Sequence, residues 1–302
     1  MKTLSTLLVS LICWSSLIAQ TVSSENGYWL PAKGTVATPI QIRVLVVYAN
    51  VDYTAGNCLT APVYDNNEWP ANAPPKWETG GGNYPIAKPL FDADYTGASN
   101  ITKGTLTDYF FEASQGSLVV LGDYASVIVP CTASGLTDYC FSAGLNALAS
   151  YITNNSTAHG KQLTDFDIID SYSKGLQKSN ANDPNNVIDI VFIIWNHNLY
   201  GKIAGSCAGG AGVNGSNIVA LSDASGPYTT YLASSWGGCS RHDAWLTFTA
   251  EFLHGLFGGN NWHSGGGAGP WTFMTAPKMY CTTAQYDNPS DIYCGYDRHH
   301  LG

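Results

Sequence analysis

Three side chains that can bind a metal or transfer a proton lie close together near the end of the sequence: Glu251, His254 and His263. In the H-E-x-x-H arrangement, two histidines four positions apart share one face of a helix and bind zinc. The glutamate beside the first histidine then acts as a general base on metal-bound water. Ala250 occupies the place of that first histidine here. The spacing therefore predicts a zinc hydrolase site that lacks one ligand.

An apolar helix must position these side chains. The residues around Glu251 and His254 are rich in large apolar side chains, which predicts a largely buried helix: Leu246, Phe248, Phe252, Leu253, Leu256 and Phe257. A buried helix rarely carries a carboxylate and an imidazole without a use. Gly258 and Gly259 allow a sharp turn that can bring His263 back to the same point. The alternative is a structural helix in which Glu251 and His254 satisfy each other or the backbone.

Composition and the first residues bear on compartment and partners. Charged residues make up only 12% of the chain and the net charge is −9, so neither nucleic acid nor an anionic membrane is expected as the main partner. Residues 1–19 combine Lys2, an apolar stretch and a small residue at Ala19, which predicts a cleaved secretory signal peptide. A membrane anchor is the alternative, but the apolar stretch is short and no later segment has the ~20 apolar residues of a membrane span. We therefore predict a secreted protein.

The cysteines of an exported chain predict disulfide bonds. Six of the seven that follow the signal peptide fall into three pairs that are close in sequence: Cys131 with Cys140, Cys207 with Cys239, and Cys281 with Cys294. Sequence spacing does not determine connectivity. Cys58 is left over, either free or with a partner outside this chain.

Apolar runs alternate with amphipathic segments along the chain. Periodicity and β-branched content predict strands over 42–51, 118–122, 125–130, 187–197 and 217–222, and helices over 105–116 and 141–155. The run at 187–197 is the most apolar, so we expect it to be central in the sheet. Residues 52–100 are predicted to form a long ordered loop, because their aromatic side chains need burial. This alternation predicts an α/β (α+β) fold with a mixed, largely parallel sheet and helices packed on it.

Several segments together resemble one known family. HGLFGGNNWHSGGG (254–267) resembles the H-x-L-F-G-G-N-x-x-H-x-x-G-G of secreted bacterial zinc metallopeptidases related to immune inhibitor A. The resemblance extends along most of the chain, through IRVLVVYANVDY (42–53), TLTDYFFEASQGSLVVLGDY (105–124), DIVFIIWN (189–196), GPWTFM (269–274) and YDRHHLG (296–302). The last of these is similar to a closing motif that the family normally continues with Trp, so we expect further residues after Gly302.

The resemblance implies a zincin-like metallopeptidase domain over residues 20–302, with an active-site helix beneath the sheet and a loop-rich C-terminal part. It implies that Glu251 is the general base, and that His254 and His263 are zinc ligands. It also implies that Met274 lies in a turn beneath the metal and that Gly258 supports the turn after the helix. Ala250 is the departure from the family pattern, because alanine has no lone pair to offer a metal.

Two functions follow as hypotheses. The first is a secreted zinc endopeptidase that hydrolyses protein or peptide substrates, with activity impaired by Ala250. The second is an inactive homologue that binds peptide or surface polymer in the same cleft. Other histidines are candidates for the missing ligand: His197, His242, His299 and His300. Segments 180–186 and 287–291 have oxygen-rich side chains that could bind calcium, although solvated turns are the simpler interpretation.

The cysteine pairs can be tested directly. Peptide mapping of the non-reduced protein should recover the links 131–140, 207–239 and 281–294, and should leave Cys58 outside them. A peptide that joins Cys58 to any of the other six would show this pairing to be wrong.

Overall fold

The computed structural model describes residues 39–52, 54, 69–130, 142–172, 175–181, 186–196, 219–230 and 233–237, together with Arg241, Ala244, Trp245, Phe248, Thr249 and Phe252. The strands of these ranges are β1 (Ile40–Asp52), β2 (Leu118–Pro130), β3 (Ile169–Tyr172), β4 (Gly175–Ala181), β5 (Val187–Ile188), β6 (Ile190–Asn196), β7 (Ala220–Asp223), β8 (Gly226–Thr230) and β9 (Ala233–Gly237). The α-helices are α1 (Lys76–Thr79), α2 (Leu106–Ala113) and α3 (Ser142–Ile152). Short 3-10 helices cover Ala98–Asn100 and Leu163–Phe166.

The largest described sheet has the strand order β2-β1-β6-β9, and all of its pairings are parallel. β1 pairs with β2 along its whole length, from Ile40 opposite Leu118 to Asp52 opposite Pro130. β6 lies between β1 and β9 and is buried at every position. The predictions of a largely parallel sheet and of an inner strand near residue 190 are therefore confirmed.

Two smaller sheets accompany the main one. β3 and β4 form an antiparallel pair. The third sheet has the order β5-β8-β7, in which β8 runs parallel to β5 and antiparallel to β7. Mixed pairing is thus present in the described chain, but in this smaller sheet. The protein has a mixed α/β structure.

Both faces of the main sheet are covered. Alternate residues of β1, including Val44, Val46 and Tyr48, face a cluster that contains α2, which we call the front face. The intervening residues Leu45 and Val47 face a second cluster that contains α3, which we call the back face. A strand that is buried on both faces has a continuous apolar sequence instead of one that alternates between apolar and polar residues. This is why β1 was recognisable from its sequence.

The predicted helix at 105–116 is confirmed as α2, with shorter bounds. The Thr105 hydroxyl accepts a hydrogen bond from the amide of Asp108 at 3.1 Å, which caps the first turn. The helix ends at Ala113, and Gln115 and Gly116 then take positive φ angles of 54° and 85°. The glycine tolerates this left-handed conformation without steric cost, so the chain can turn directly into β2. The second predicted helix is likewise confirmed, as α3.

Two predicted strand boundaries are wrong. The segments 118–122 and 125–130 form one continuous strand, β2, because Asp123 and Tyr124 between them also pair with β1, opposite Leu45 and Val46. The segment 187–197 is divided instead: β5 pairs with β8, and only β6 joins the main sheet. At the break, the amide of Asp189 donates to the Phe166 carbonyl at 2.9 Å. Within the described residues, the predicted strand at 217–222 is found as β7, over Ala220–Asp223.

Within the predicted loop, residues 69–100 are ordered around buried aromatic side chains. Trp69 and Trp77 are almost completely buried. Their ring centroids are 5.4 Å apart, and Trp69 lies 5.5 Å from the ring of Tyr48. The indole of Trp69 donates to the Ala73 carbonyl at 2.8 Å. The expectation that aromatic burial orders this loop is confirmed for these residues.

Gly122 is required by a steric constraint that can be tested. A Cβ at this position would lie 2.7 Å from the ring of Phe91. We therefore expect Gly122→Ala to destabilise the protein by about 1–3 kcal/mol, because the ring or the strand must move. Urea unfolding would measure the loss. In a Phe91→Leu background the same change should cost about 1 kcal/mol less, and an equal cost in both backgrounds would contradict the steric explanation.

Candidate functional site

The residues that the sequence singled out for chemistry lie outside the described ranges. These are Ala250, Glu251, His254, Gly258, His263 and Met274, with the alternative ligands His197, His242, His299 and His300. The six cysteines that are predicted to pair and Cys58 lie outside them as well, as do residues 1–19 and most of the two candidate calcium segments. Their assigned roles stay predictions.

The helix that would carry Glu251 and His254 is described at six positions. Residues at intervals of three and four are helical: Arg241, Ala244, Trp245, Phe248, Thr249 and Phe252. The Thr249 hydroxyl donates to the Trp245 carbonyl at 2.9 Å, one helical turn earlier. All of these residues except Arg241 are buried. The prediction of a buried helix is confirmed at the five buried positions, and we call these six described residues the 241 helix.

Aromatic contacts seat the 241 helix on the front face. The ring of Trp245 lies 4.7 Å from that of Tyr109 in α2. Phe252 lies 4.7 Å from Phe110, also in α2. Phe248 lies 5.1 Å from Phe192 in β6 and 4.9 Å from Phe91. Edge-to-face pairs of this kind contribute about 0.5–1.5 kcal/mol each beyond area burial, so the face that includes these rings is fixed against the sheet.

A polar cluster lies on the same face, around the carboxyl of Glu78. The Tyr48 hydroxyl donates to Glu78 Oε2 at 2.7 Å, and the Leu90 amide donates to the same oxygen at 3.2 Å. Tyr124 lies alongside, with its ring centroid 5.3 Å from that of Tyr48. The guanidinium of Arg241 is close enough to interact electrostatically with Glu78. We call Tyr48, Glu78, Tyr124 and Arg241 the Glu78 cluster.

Burial controls ionisation in the Glu78 cluster. It raises the pKa of the Glu78 carboxyl, and this outweighs the opposing hydrogen bonds from Tyr48 and Leu90 and the positive charge of Arg241. Burial, followed by the charge of Glu78, also raises the pKa of the Tyr48 phenol well above its ordinary value. The same two causes raise the pKa of Tyr124 to about 12. Both phenols are therefore neutral at neutral pH, and the Tyr48 hydroxyl donates its proton to the hydrogen bond with Glu78.

A second polar group lies at the outer edge of β2. The carboxylate of Asp123 is fully buried and accepts hydrogen bonds from the Thr157 hydroxyl and from the amide of His159. It also lies 2.7 Å from Nδ1 of the His159 ring, which is half exposed. The Ala158 amide donates to the Tyr124 carbonyl at 2.9 Å. Asp123 therefore holds the 157–161 loop against the edge of β2 and orients the imidazole.

Asp123 was not among the predicted site residues, although the sequence contains a signal for it. An aspartate within the apolar run LVVLGDYASVIVP is unusual, because a buried carboxylate needs hydrogen-bond donors. Its partners lie more than thirty positions away, so the sequence marks the carboxylate but not what it binds. Glu78 gave no such signal, since it lies in a polar stretch.

The described residues hold no alternative metal site. Among them, no three His, Cys, Asp or Glu side chains come together in a way that could hold an ion. None of the helices in the described part of the chain has the length and hydropathy that a membrane crossing requires.

Comparison with models of known protein families finds no match to this chain. A search of curated proteins finds none either.

The raised pKa of Glu78 predicts a pH-dependent stability. In the unfolded chain this carboxyl ionises near its ordinary pKa of 4.5, whereas the folded protein keeps the proton to a higher pH. As pH rises through that window, ionisation of the buried carboxyl costs stability. Glu78→Gln retains an acceptor for Tyr48 and Leu90 but cannot ionise. We therefore expect the variant to gain stability relative to the natural protein as pH rises from about 4 to about 8.

Urea unfolding across this pH range would measure the difference in the free energy of unfolding. Glu112→Gln is the matched control, because it removes one carboxylate from an exposed position on α2. A stability difference between Glu78→Gln and the natural protein that does not change with pH would contradict the burial of an ionisable carboxyl.

Proposed function

We propose that this protein is a secreted zinc-dependent endopeptidase domain of the zincin kind, with a metal site weakened by Ala250. The observation that carries the proposal is the seating of the 241 helix. Trp245, Phe248 and Phe252 occupy the side that packs on the sheet. On a helix that continues at 3.6 residues per turn, positions 250 and 254 fall on the opposite side. A ligand pair at these positions would therefore be directed away from the apolar core.

The donor set suits zinc but is incomplete. His254 and His263 offer imidazole nitrogens, which zinc prefers. Catalytic zinc sites ordinarily use three protein ligands and keep one position open for water. Ala250 offers no donor atom, so two of the three ligands are present in the sequence. This composition supports a site of the right type with reduced affinity.

In the proposed reaction, zinc supplies Lewis-acid activation of a water molecule for attack on a peptide carbonyl. His254 and His263 would hold the ion. Glu251 would accept the proton of the attacking water and pass it to the leaving amine. An extended peptide would bind beside the edge of a sheet, where backbone hydrogen bonds recognise it with little dependence on its sequence.

Ala250 itself favours a second candidate. A protein that keeps the helix, the glycine turn and the cleft but loses a metal ligand could bind peptide or surface polymer without cleaving it. In that case Glu251 and His254 would contribute polar contacts and not catalysis. The two functions make different predictions for a protein in which the ligand is restored.

Restoration of the ligand is the decisive test. Structural zinc contributes ~10–16 kcal/mol to small four-ligand domains, so one added ligand is worth about 3 kcal/mol, or on the order of a hundredfold in Kd. We expect Ala250→His to raise zinc affinity by this factor and to increase hydrolysis of a denatured protein substrate. Zinc affinity would be measured by chelator competition, and cleavage by mass spectrometry of the products.

Two further variants separate binding from catalysis. Glu251→Gln in the Ala250→His background should keep the metal and reduce cleavage by about 10²–10⁴-fold, because only the base is removed. Ala250→Leu is the matched control, since it fills similar space without a lone pair and should change neither property. A restored protein that binds zinc firmly but cleaves nothing in a broad peptide library would favour the binding function. One that gains no zinc affinity would refute the zinc site.

A further inference from the structure

Arg241 makes the most extensive directional contacts described for the 241 helix. Its guanidinium donates to three backbone carbonyls: Nε to Lys88 at 2.7 Å, and one terminal nitrogen to Pro89 at 3.1 Å and to Gly104 at 2.7 Å. These carbonyls belong to two stretches of chain that lie more than a dozen positions apart. The Arg241 side chain therefore joins the 241 helix to two separate points of the chain before α2, residues 88–89 and Gly104.

The segment 88–90 that receives two of these bonds is itself held from several sides. The Lys88 amide donates to the Trp77 carbonyl at 2.6 Å. The Leu90 amide donates to Glu78, and the Leu90 carbonyl accepts from the amide of Leu106 at 2.7 Å. Leu90 is almost fully buried. Arg241 thus binds to a part of the backbone that is fixed to α1 and to the first turn of α2.

The guanidinium of Arg241 stays charged at this position although it is partly buried. Burial lowers the pKa of Arg241, while the nearby charge of Glu78 opposes that shift. An arginine with a lowered pKa still carries its charge at neutral pH, because its ordinary value is above about 12. A charged, partly buried donor that meets three carbonyls forms strong hydrogen bonds. Its planar fork could not be reproduced by lysine.

The remaining contacts of the helix are of a different kind. Trp245, Phe248 and Phe252 determine which face is buried, but ring packing tolerates small rotations and shifts along the helix axis. Hydrogen bonds restrict distance and direction much more narrowly. Placement along the axis therefore depends most on Arg241.

We propose that Arg241 is a positioning residue, which fixes the rotation and axial placement of the helix that carries Glu251 and His254. This inference rests on the proposed function. A metal site requires its ligands within a few tenths of an ångström of their ideal distances, and groups that orient ligands typically change metal affinity by about 10–100-fold when removed. Arg241 would affect the metal ligands indirectly, through the helix backbone.

The test uses the Ala250→His protein as the parent and adds Arg241→Gln. We expect zinc affinity to fall by about tenfold. The absorption spectrum of the cobalt-substituted protein should also change, because its intensity reports the geometry of the ligands around the metal. Near-ultraviolet circular dichroism would confirm that each variant is folded. Lys103→Gln is the matched control, since it removes an exposed cation whose ion pairs are with Asp108 and Glu112 of α2.

Arg241→Lys keeps the charge and can retain one carbonyl bond, so its zinc affinity should lie between those of the parent and Arg241→Gln. This variant also replaces Arg241→Gln if the latter fails to fold. Unchanged affinity and an unchanged cobalt spectrum in the folded variant would overturn the positioning role and leave the proposed function intact. A parent that binds neither zinc nor cobalt would refute the proposed function, and the positioning role with it.

Discussion

The burial of β1 between two parallel neighbours is the constraint on which the described structure depends. β1 pairs with β2 over thirteen residues, and it pairs with β6 on its other side. The pairing satisfies its backbone groups, but it leaves two apolar faces that water would otherwise cover. Helices must therefore pack on both sides. α3 covers the back face, and α2 together with the 241 helix covers the front.

The front face combines apolar packing with a carboxylate that is hard to bury. Aromatic rings from β1, β6, α2 and the 241 helix exclude water from this side of the sheet. Glu78 lies in this region, and the hydrogen bonds from Tyr48 and the Leu90 amide and the charge of Arg241 only partly offset the effect of burial, which raises the pKa of its carboxyl. The same groups tie the loop before α2 to the 241 helix. Packing and polar contacts thus converge on the helix that leads to the proposed metal ligands.

Where prediction from the sequence succeeded, the signal was local. The apolar run of β1 and the helical periodicity of α2 each specify structure through neighbouring residues. Where it was wrong, the cause was distant. The sequence predicted a break in β2 at residues 123 and 124, but Asp123 stays in the strand, where its buried carboxylate accepts hydrogen bonds from Thr157 and His159, more than thirty positions away. Asp189 looked like part of one long strand, yet its amide binds Phe166 and the chain changes sheets at that point.

The sequence by itself determined the alternation of strands and helices and the buried character of the 241 helix, and it is the source of the prediction that Glu251, His254 and His263 form a metal site with Ala250 in place of a ligand. These follow from periodicity and residue type, which are properties of neighbouring positions. Only the tertiary structure decided that Glu78 meets Tyr48 and that Arg241 binds the carbonyls of residues 88, 89 and 104. Such pairings depend on which surfaces meet when the sheet is covered. The spacing of residues along the chain does not specify these contacts, because hydrogen bonds and burial act between groups that are near in space, however far apart they are in sequence.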